Sequence, residues 1–210
     1  MPACWVSIVD ESMAVDRDAA SKQIGIVSNT AFENRPDLGR RMLDRENLKA
    51  MLGLKRVDRA GWLSHGLSNV ESVAAHSWGV AFLTLMLKPE NLDAEKVLKM
   101  AILHDLAEVV IGDVTPKDEV PEAEKLILET SAMKNLLQGH PAAAELLELW
   151  LECETRSTPE GDFVKQCDKL DMALQAQIYS GALTGFDPSE FLASALQGID
   201  DPALRELAQP

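Results

Sequence analysis

Residues 102–113 read ILHDLAEVVIGD and place His104, Asp105, Glu108 and Asp113 among Ile, Leu and Val. A carboxylate or an imidazole beside that much apolar surface is costly unless it is paired or metal-bound. If the segment is helical, His104 and Glu108, four apart, and Asp105 and Glu108, three apart, share a face. His104 and Asp105 then lie about 100° apart around the axis and flank one point. Such a set suits one divalent ion, and mixed N/O ligation favours Mn, Fe, Co, Ni, Zn or Mg over thiophilic metals. One helix seldom completes a site. His76 in ESVAAHSWGV and Asp168 in FVKQCDKLDMAL supply further donors, so three helices converging in a bundle core would build the centre. Taken singly, each residue has a blander explanation: a solvated acid, or a hydrogen-bonded core histidine. The argument rests on the set.

The elements that must position these residues read as helical. Leu, Ala, Glu and Met are abundant and aromatic residues make up only 5%, so an all-α fold is expected, a compact bundle of six or more helices. Helical signals begin near Arg41, and one helix is expected from Ser72 to Leu87, with Ser72 as its cap. Another is expected to start at the Asp93 cap and run unbroken through the HD pair to Gly112. GDVTPKDEVP reads as loop. Pro121, Pro141 and Pro159 are expected in the first turns of three further helices, and short helices at 188–197 and 202–208 close the chain. Residues 1–40 show no sustained period and read as an irregular arm of unknown role, with a short hairpin among its possibilities.

The totals exclude several classes of function. A length of 210 residues with 46% hydrophobic content fits one domain with an extension. No stretch approaches the roughly 18–20 apolar residues of a membrane helix, and no secretory leader is visible, so a cytoplasmic protein without a membrane partner is expected. Cys4, Cys153 and Cys167 form no CxxC pair and read as structural thiols. A net charge of −14 argues against a nucleic-acid polymer as partner. It leaves room for a small phosphorylated substrate, because a bound cation inverts the local field.

The pieces RAGWLSHGLSNVESVAAHSWGVAFL, AILHDLAEVVIGDVTP and FVKQCDKLDMALQA together resemble the HD-domain metal-dependent phosphohydrolases, over roughly residues 44–185. More narrowly, they resemble the small 5′-deoxynucleotidase branch, which hydrolyses deoxynucleoside monophosphates. The resemblance divides the chain into an extension, 1–40, and an HD domain, 41–210. It implies that His76, His104, Asp105 and Asp168 are metal ligands for one divalent ion (Mn, Co, Mg, Fe or Zn). It also implies that Glu108 positions the attacking water and that Asp113 is a second catalytic carboxylate, protonating the leaving oxygen. Trp62 matches a tryptophan near the sugar, and Glu71, Ser72, Thr115 and Lys165 match positions on the phosphate side or supporting it, while by charge alone Arg59, Lys117 or Lys165 could hold the phosphate. The resemblance further implies a nucleotide substrate and a homodimer.

Two positions depart from the family pattern. Ala75 stands where an acid often precedes the first His, and Gly61 stands where Arg can precede Trp, with Arg59 two positions earlier. A cyclic-dinucleotide phosphodiesterase or a di-iron oxygenase on the same core would require more histidines than this chain has. A triphosphohydrolase would normally be longer and more basic. A non-catalytic nucleotide-binding module would have no use for Glu108 and Asp113. Trp150, on a stripe with Leu146, Leu147 and Leu151, reads as core or dimer interface.

Overall fold

The computed structural model describes residues 45–210, so the expectations for residues 1–40, Cys4 included, lie outside the described residues. Every regular element among the described residues is helical, apart from one isolated antiparallel bridge between Asp58 and Ser72. In chain order these are α1 (Arg45–Met51), a 3-10 turn (Leu52–Arg56), α2 (Ala60–Ser64), α3 (Val73–Leu87), α4 (Ala94–Leu103) and α5 (Glu108–Ile111). A 3-10 turn (Pro116–Asp118), α6 (Glu122–Leu136), α7 (Ala143–Glu154), α8 (Pro159–Ala182), α9 (Ser189–Gly198) and α10 (Pro202–Ala208) follow. The expected all-α bundle of six or more helices is therefore present.

The 24-residue α8 is the axle, with α3, α4, α7, α9 and α10 packed around it. Its buried side chains Phe163, Val164, Cys167, Leu170, Ala173 and Ala176 recur at steps of three and four, so one stripe faces the core. Against that stripe lie Val80 of α3, Val97 and Met100 of α4 and Ile199 after α9, all fully buried. Burial of each such side chain contributes roughly 1.5–3 kcal/mol. The helix starts are fixed by side chains: Ser72 Oγ accepts the Ala75 N–H at 3.2 Å, and Asp93 Oδ1 accepts those of Glu95 and Lys96 at 2.9 and 3.1 Å. Of the three prolines expected in first turns, only Pro159 is there; Pro121 is the cap of α6 and Pro141 precedes the Ala142 cap of α7.

The expected single helix from Asp93 to Gly112 is broken. After Leu103 the chain makes a turn over 104–107, with i→i−3 bonds from Leu106 to Leu103 and from Glu108 to Asp105 at 3.0 and 3.1 Å. The tightening leaves carbonyls to be satisfied by side chains. His104 Nδ1 donates to the Ala101 carbonyl at 2.9 Å, and the indole N–H of Trp150 donates to the His104 carbonyl at 3.0 Å. Trp150 is therefore core, fully buried with Leu106, Met133 and Leu136, and it braces the HD turn. Gly112, at φ +82°, then reverses the chain so that Asp113 returns toward α2, a conformation that a side chain would resist.

Trp150→Phe keeps the ring but leaves the buried His104 carbonyl without its donor. The expected loss is about 1–3 kcal/mol in chemical denaturation, together with weaker metal binding. An unchanged unfolding midpoint would show that the turn does not depend on this bond.

Candidate metal centre and its cavity

α3 delivers His76, the HD turn delivers His104 and Asp105, and α8 delivers Asp168. The donor atoms of His76, His104 and Asp105 cluster together, and Asp168 reaches the same His76 nitrogen. His76 Nε2 lies 3.4 Å from His104 Nε2, 3.4 Å from Asp105 Oδ2 and 3.1 Å from Asp168 Oδ1, and His104 Nε2 lies 3.1 Å from Asp105 Oδ2. Both histidines are buried. The far end of each ring is already engaged: His104 Nδ1 donates to a carbonyl, which can only accept, and His76 Nδ1 lies 2.7 Å from Asp171 Oδ2. Two neutral rings would therefore point two Nε2 lone pairs at each other across 3.4 Å. Something positive must sit between them. A divalent ion fits the two imidazoles and the Asp105 carboxylate, with the Asp168 carboxylate against His76, and the chain thus holds a His/Asp site suited to a divalent metal.

Without a metal, a proton takes that place. Burial and the Arg59 charge act to lower the His76 pKa, but hydrogen bonds to Asp168 and Asp171 and the Asp168 charge outweigh them and raise it to about 9. Burial alone would raise Asp105 and Asp168; the charges and hydrogen bonds of the neighbouring histidines, with Lys169 and Lys165 beside Asp168, hold both below the usual carboxylate range. Glu108 goes the other way. Burial, then the charges of Asp105 and Asp113, push it up to about 10, and its Oε2 is buried with no hydrogen-bond partner among the described residues.

The centre forms the floor of a cavity of about 580 Å³, a size suited to a small ligand, whose walls include Arg59, Trp62, Glu108, Asp113, Thr115 and Lys165. Arg59, Trp62, Thr115, Lys117 and Lys165 thus border one space, whereas Glu71 and Ser72 do not line it, and several of these residues are engaged. Trp62 is 1% exposed, packed on Phe191 and Tyr179 with ring centroids 4.2 and 5.2 Å away, and its indole N–H donates to Glu71 Oε1 at 3.0 Å. Lys165 Nζ is 2.6 Å from Glu154 Oε1, Thr115 donates to Asp118, and Lys117 Nζ donates to Ser64 Oγ. Ser72 is a helix cap. Asp113 accepts the Ala60 N–H at 2.8 Å and lies 3.5 Å from Arg59 Nη1, so it anchors Arg59 and the start of α2.

Sequence reasoning missed Asp171, Lys125 and Lys169. Asp171 had a signal, being three residues after Asp168 on the same helix face. The two lysines reach the cavity, and nothing distinguishes them in the sequence from solvated surface charges.

The HD domain family matches residues 52–200, a stretch that contains all four donors together with Glu108 and Asp113. The chain belongs to the HD domain family. The 5′-deoxynucleotidase HDDC2 of Bos taurus is 44% identical over 128 residues, 60% of this chain and 62% of that protein. The 5′-deoxynucleotidase hdd1 of Schizosaccharomyces pombe is 38% identical over 144 residues, 66% of this chain and 73% of the other. The chain spans less than two thirds of the length of the first curated relatives it matches, 62% for the bovine protein and 63% for the human one. Among solved HD-like structures, a conserved hypothetical protein from Pyrococcus furiosus superposes with a TM-score of 0.65 at 35% identity, covering 79% of this chain and 96% of its own.

The pKa shifts set the pH dependence of the metal-free HD domain. His76, raised from 6.5 to about 9, contributes stability that is complete below pH 6.5 and is lost as pH rises through 9. Glu108, raised from 4.5 to about 10, acts with the same sign, whereas the lowered Asp105 and Asp168 contribute stability that is lost as pH falls below their ordinary range. A divalent ion held by His76 would take the place of its proton. The rise in melting temperature on adding Mn²⁺ or Co²⁺ is therefore expected to grow between pH 6.5 and 9. A rise that is flat across that window would mean that the ion does not compete with the His76 proton.

Proposed function

We propose that the chain is a metal-dependent phosphomonoesterase that converts deoxynucleoside 5′-monophosphates to deoxynucleosides and inorganic phosphate. The observation that carries this reading is the four-donor centre opening into a cavity that also presents Arg59, Lys125, Lys165 and Lys169 in a chain of net charge −14. The 5′-deoxynucleotidases named above support the substrate class.

His76, His104, Asp105 and Asp168 would hold one divalent ion, from among Mn, Co, Mg, Fe and Zn. When bound, such an ion makes hydroxide available near neutral pH and screens the phosphate charge. The chain's own groups do the rest. Arg59 stays protonated: burial opposes its charge, but Asp113, Asp105, Asp168 and Glu108 overcome that effect. Its guanidinium, steadied by Asp113, can take two phosphate oxygens. Lys125 likewise stays charged against burial because of Glu129 and Glu108. Trp62, fixed by its aromatic neighbours and by Glu71, offers a rigid wall for the sugar.

Glu108 Oε2 has no hydrogen-bond partner among the described residues and can orient the attacking water and take its proton. As that oxygen bonds to phosphorus, the P–O5′ bond breaks and the leaving oxygen takes up a proton. The Glu108 carboxyl is well suited to return it. That role falls less readily to Asp113, whose oxygens are occupied by Ala60 and Arg59.

The test is phosphate release from deoxy- and ribonucleoside 5′-monophosphates, with each metal added back to chelator-stripped protein. Release from the deoxy substrates is expected, abolished by Asp105→Ala and lowered roughly 10²–10⁴-fold by Glu108→Gln. No release from any monophosphate by protein that still binds metal would overturn the reading.

The homodimer is also proposed here. α3 carries no Asp, Glu, Lys or Arg and exposes Trp78, Phe82, Leu85 and Met86 along one side, with the Trp78 and Phe82 rings stacked at 5.5 Å. Between two copies that each carry a large negative charge, a charge-free apolar face is where approach is least opposed. Trp78→Glu is expected to shift a dimer to monomer in light scattering, and a wild-type protein that is already monomeric would remove the proposal. No described helix is long and apolar enough to cross a membrane. The unpaired, buried Cys153 and Cys167 thiols, both pushed up to about 12 by burial, support a reducing cytoplasmic setting.

A further inference from the structure

Behind the metal centre lies a second group of ligand-type residues, Glu71, His76 and Asp171, whose donor atoms fall within 4.8 Å of one another. It is not laid out as a second ion site. His76 Nδ1 and Asp171 Oδ2 are 2.7 Å apart, a hydrogen bond that leaves no room for an ion between them. Asp171 contacts the ring at the end opposite Nε2, the atom that meets His104, Asp105 and Asp168. The ring itself is fully buried.

The neighbouring backbone makes room for this contact. Gly79 lies one turn after His76 on α3, and a Cβ at that position would collide with Asp171 Oδ1. The carboxylate can take this place beside the imidazole because residue 79 has no side chain.

We propose that Asp171 is the positioning residue of the centre: it holds His76 with its proton on Nδ1 and its ring turned so that Nε2 faces the cation, and Gly79 is the cradle that keeps it there. This rests on the reading of His76 as a metal ligand. Asp171 touches neither the cation nor the substrate. A carboxylate on the far nitrogen of a ligating imidazole fixes the tautomer and raises the basicity of the ligating nitrogen.

The experiment is Co²⁺ affinity by chelator competition on wild type, His76→Ala, Asp171→Asn, Asp171→Ala and Gly79→Ala. It is paired with ¹⁵N NMR of the His76 ring in the Zn²⁺-loaded proteins and with melting of the metal-free proteins. Asp171→Ala is expected to weaken Co²⁺ binding by roughly 10–100-fold. Asp171→Asn, which keeps an acceptor without the charge, should fall between it and wild type, and Gly79→Ala should weaken binding by displacing the carboxylate. The His76 ¹⁵N shifts should show loss of the fixed Nδ1–H form in Asp171→Ala alone of the two Asp171 variants. Should the alanine variant not fold, the isosteric asparagine variant carries the test by itself. If wild type binds no Co²⁺, or His76→Ala binds it equally well, the metal-centre reading fails. If wild type binds through His76 while both Asp171 variants bind as tightly with an unchanged tautomer, that reading stands and this proposal is overturned.

Discussion

Two imidazole nitrogens face each other at 3.4 Å inside a helical core, each with its far nitrogen committed elsewhere. That arrangement is unfavourable unless positive charge lies between the rings, and much of the surrounding structure meets this requirement. Asp105 and Asp168 close in to balance the charge, and α8 must pass near enough to α3 to bring one of them there. The turn that carries His104 departs from α-helical geometry, and Trp150 takes the carbonyl that this departure releases. Packing here serves the electrostatics. The three apolar clusters hold the elements on which these polar groups are carried.

The distribution of charge follows the same logic. The chain as a whole is strongly acidic, yet its main cavity gathers Arg59 and several lysines around a carboxylate-rich floor. Three of these cations are kept charged against burial by a carboxylate partner, Asp113 for Arg59, Glu129 for Lys125 and Glu154 for Lys165. Cations held this way need little reorganisation to meet a phosphate, and an acidic exterior discourages long polyanions.

Much of this was legible in the sequence because it depends on local period and on residue type. His76, His104, Asp105 and Asp168 stand out as donors in apolar company, and the helices around them announce their starts through Ser72, Asp93 and Pro159. The break after Leu103 was not legible, since a 3-10 turn and an α-helix place apolar residues at nearly the same intervals. Asp171 was obscured for a related reason: an acid on an amphipathic helix looks solvated until a residue from another helix is placed against it. Nor could the sequence show that Asp113 faces Ala60 and Arg59, because that depends on the reversal at Gly112.

The Trp150 indole bond joins the HD turn to the second apolar cluster, in which Met133, Leu136 and Trp150 itself are buried. The turn therefore has no loose hinge of its own. Amide protons at residues 104–108 would exchange with solvent only when that cluster opens, so the lifetime of the donor geometry is tied to sub-global unfolding. The cavity's mouth can breathe on the timescale of its surface lysines while its floor keeps the slow clock of the core.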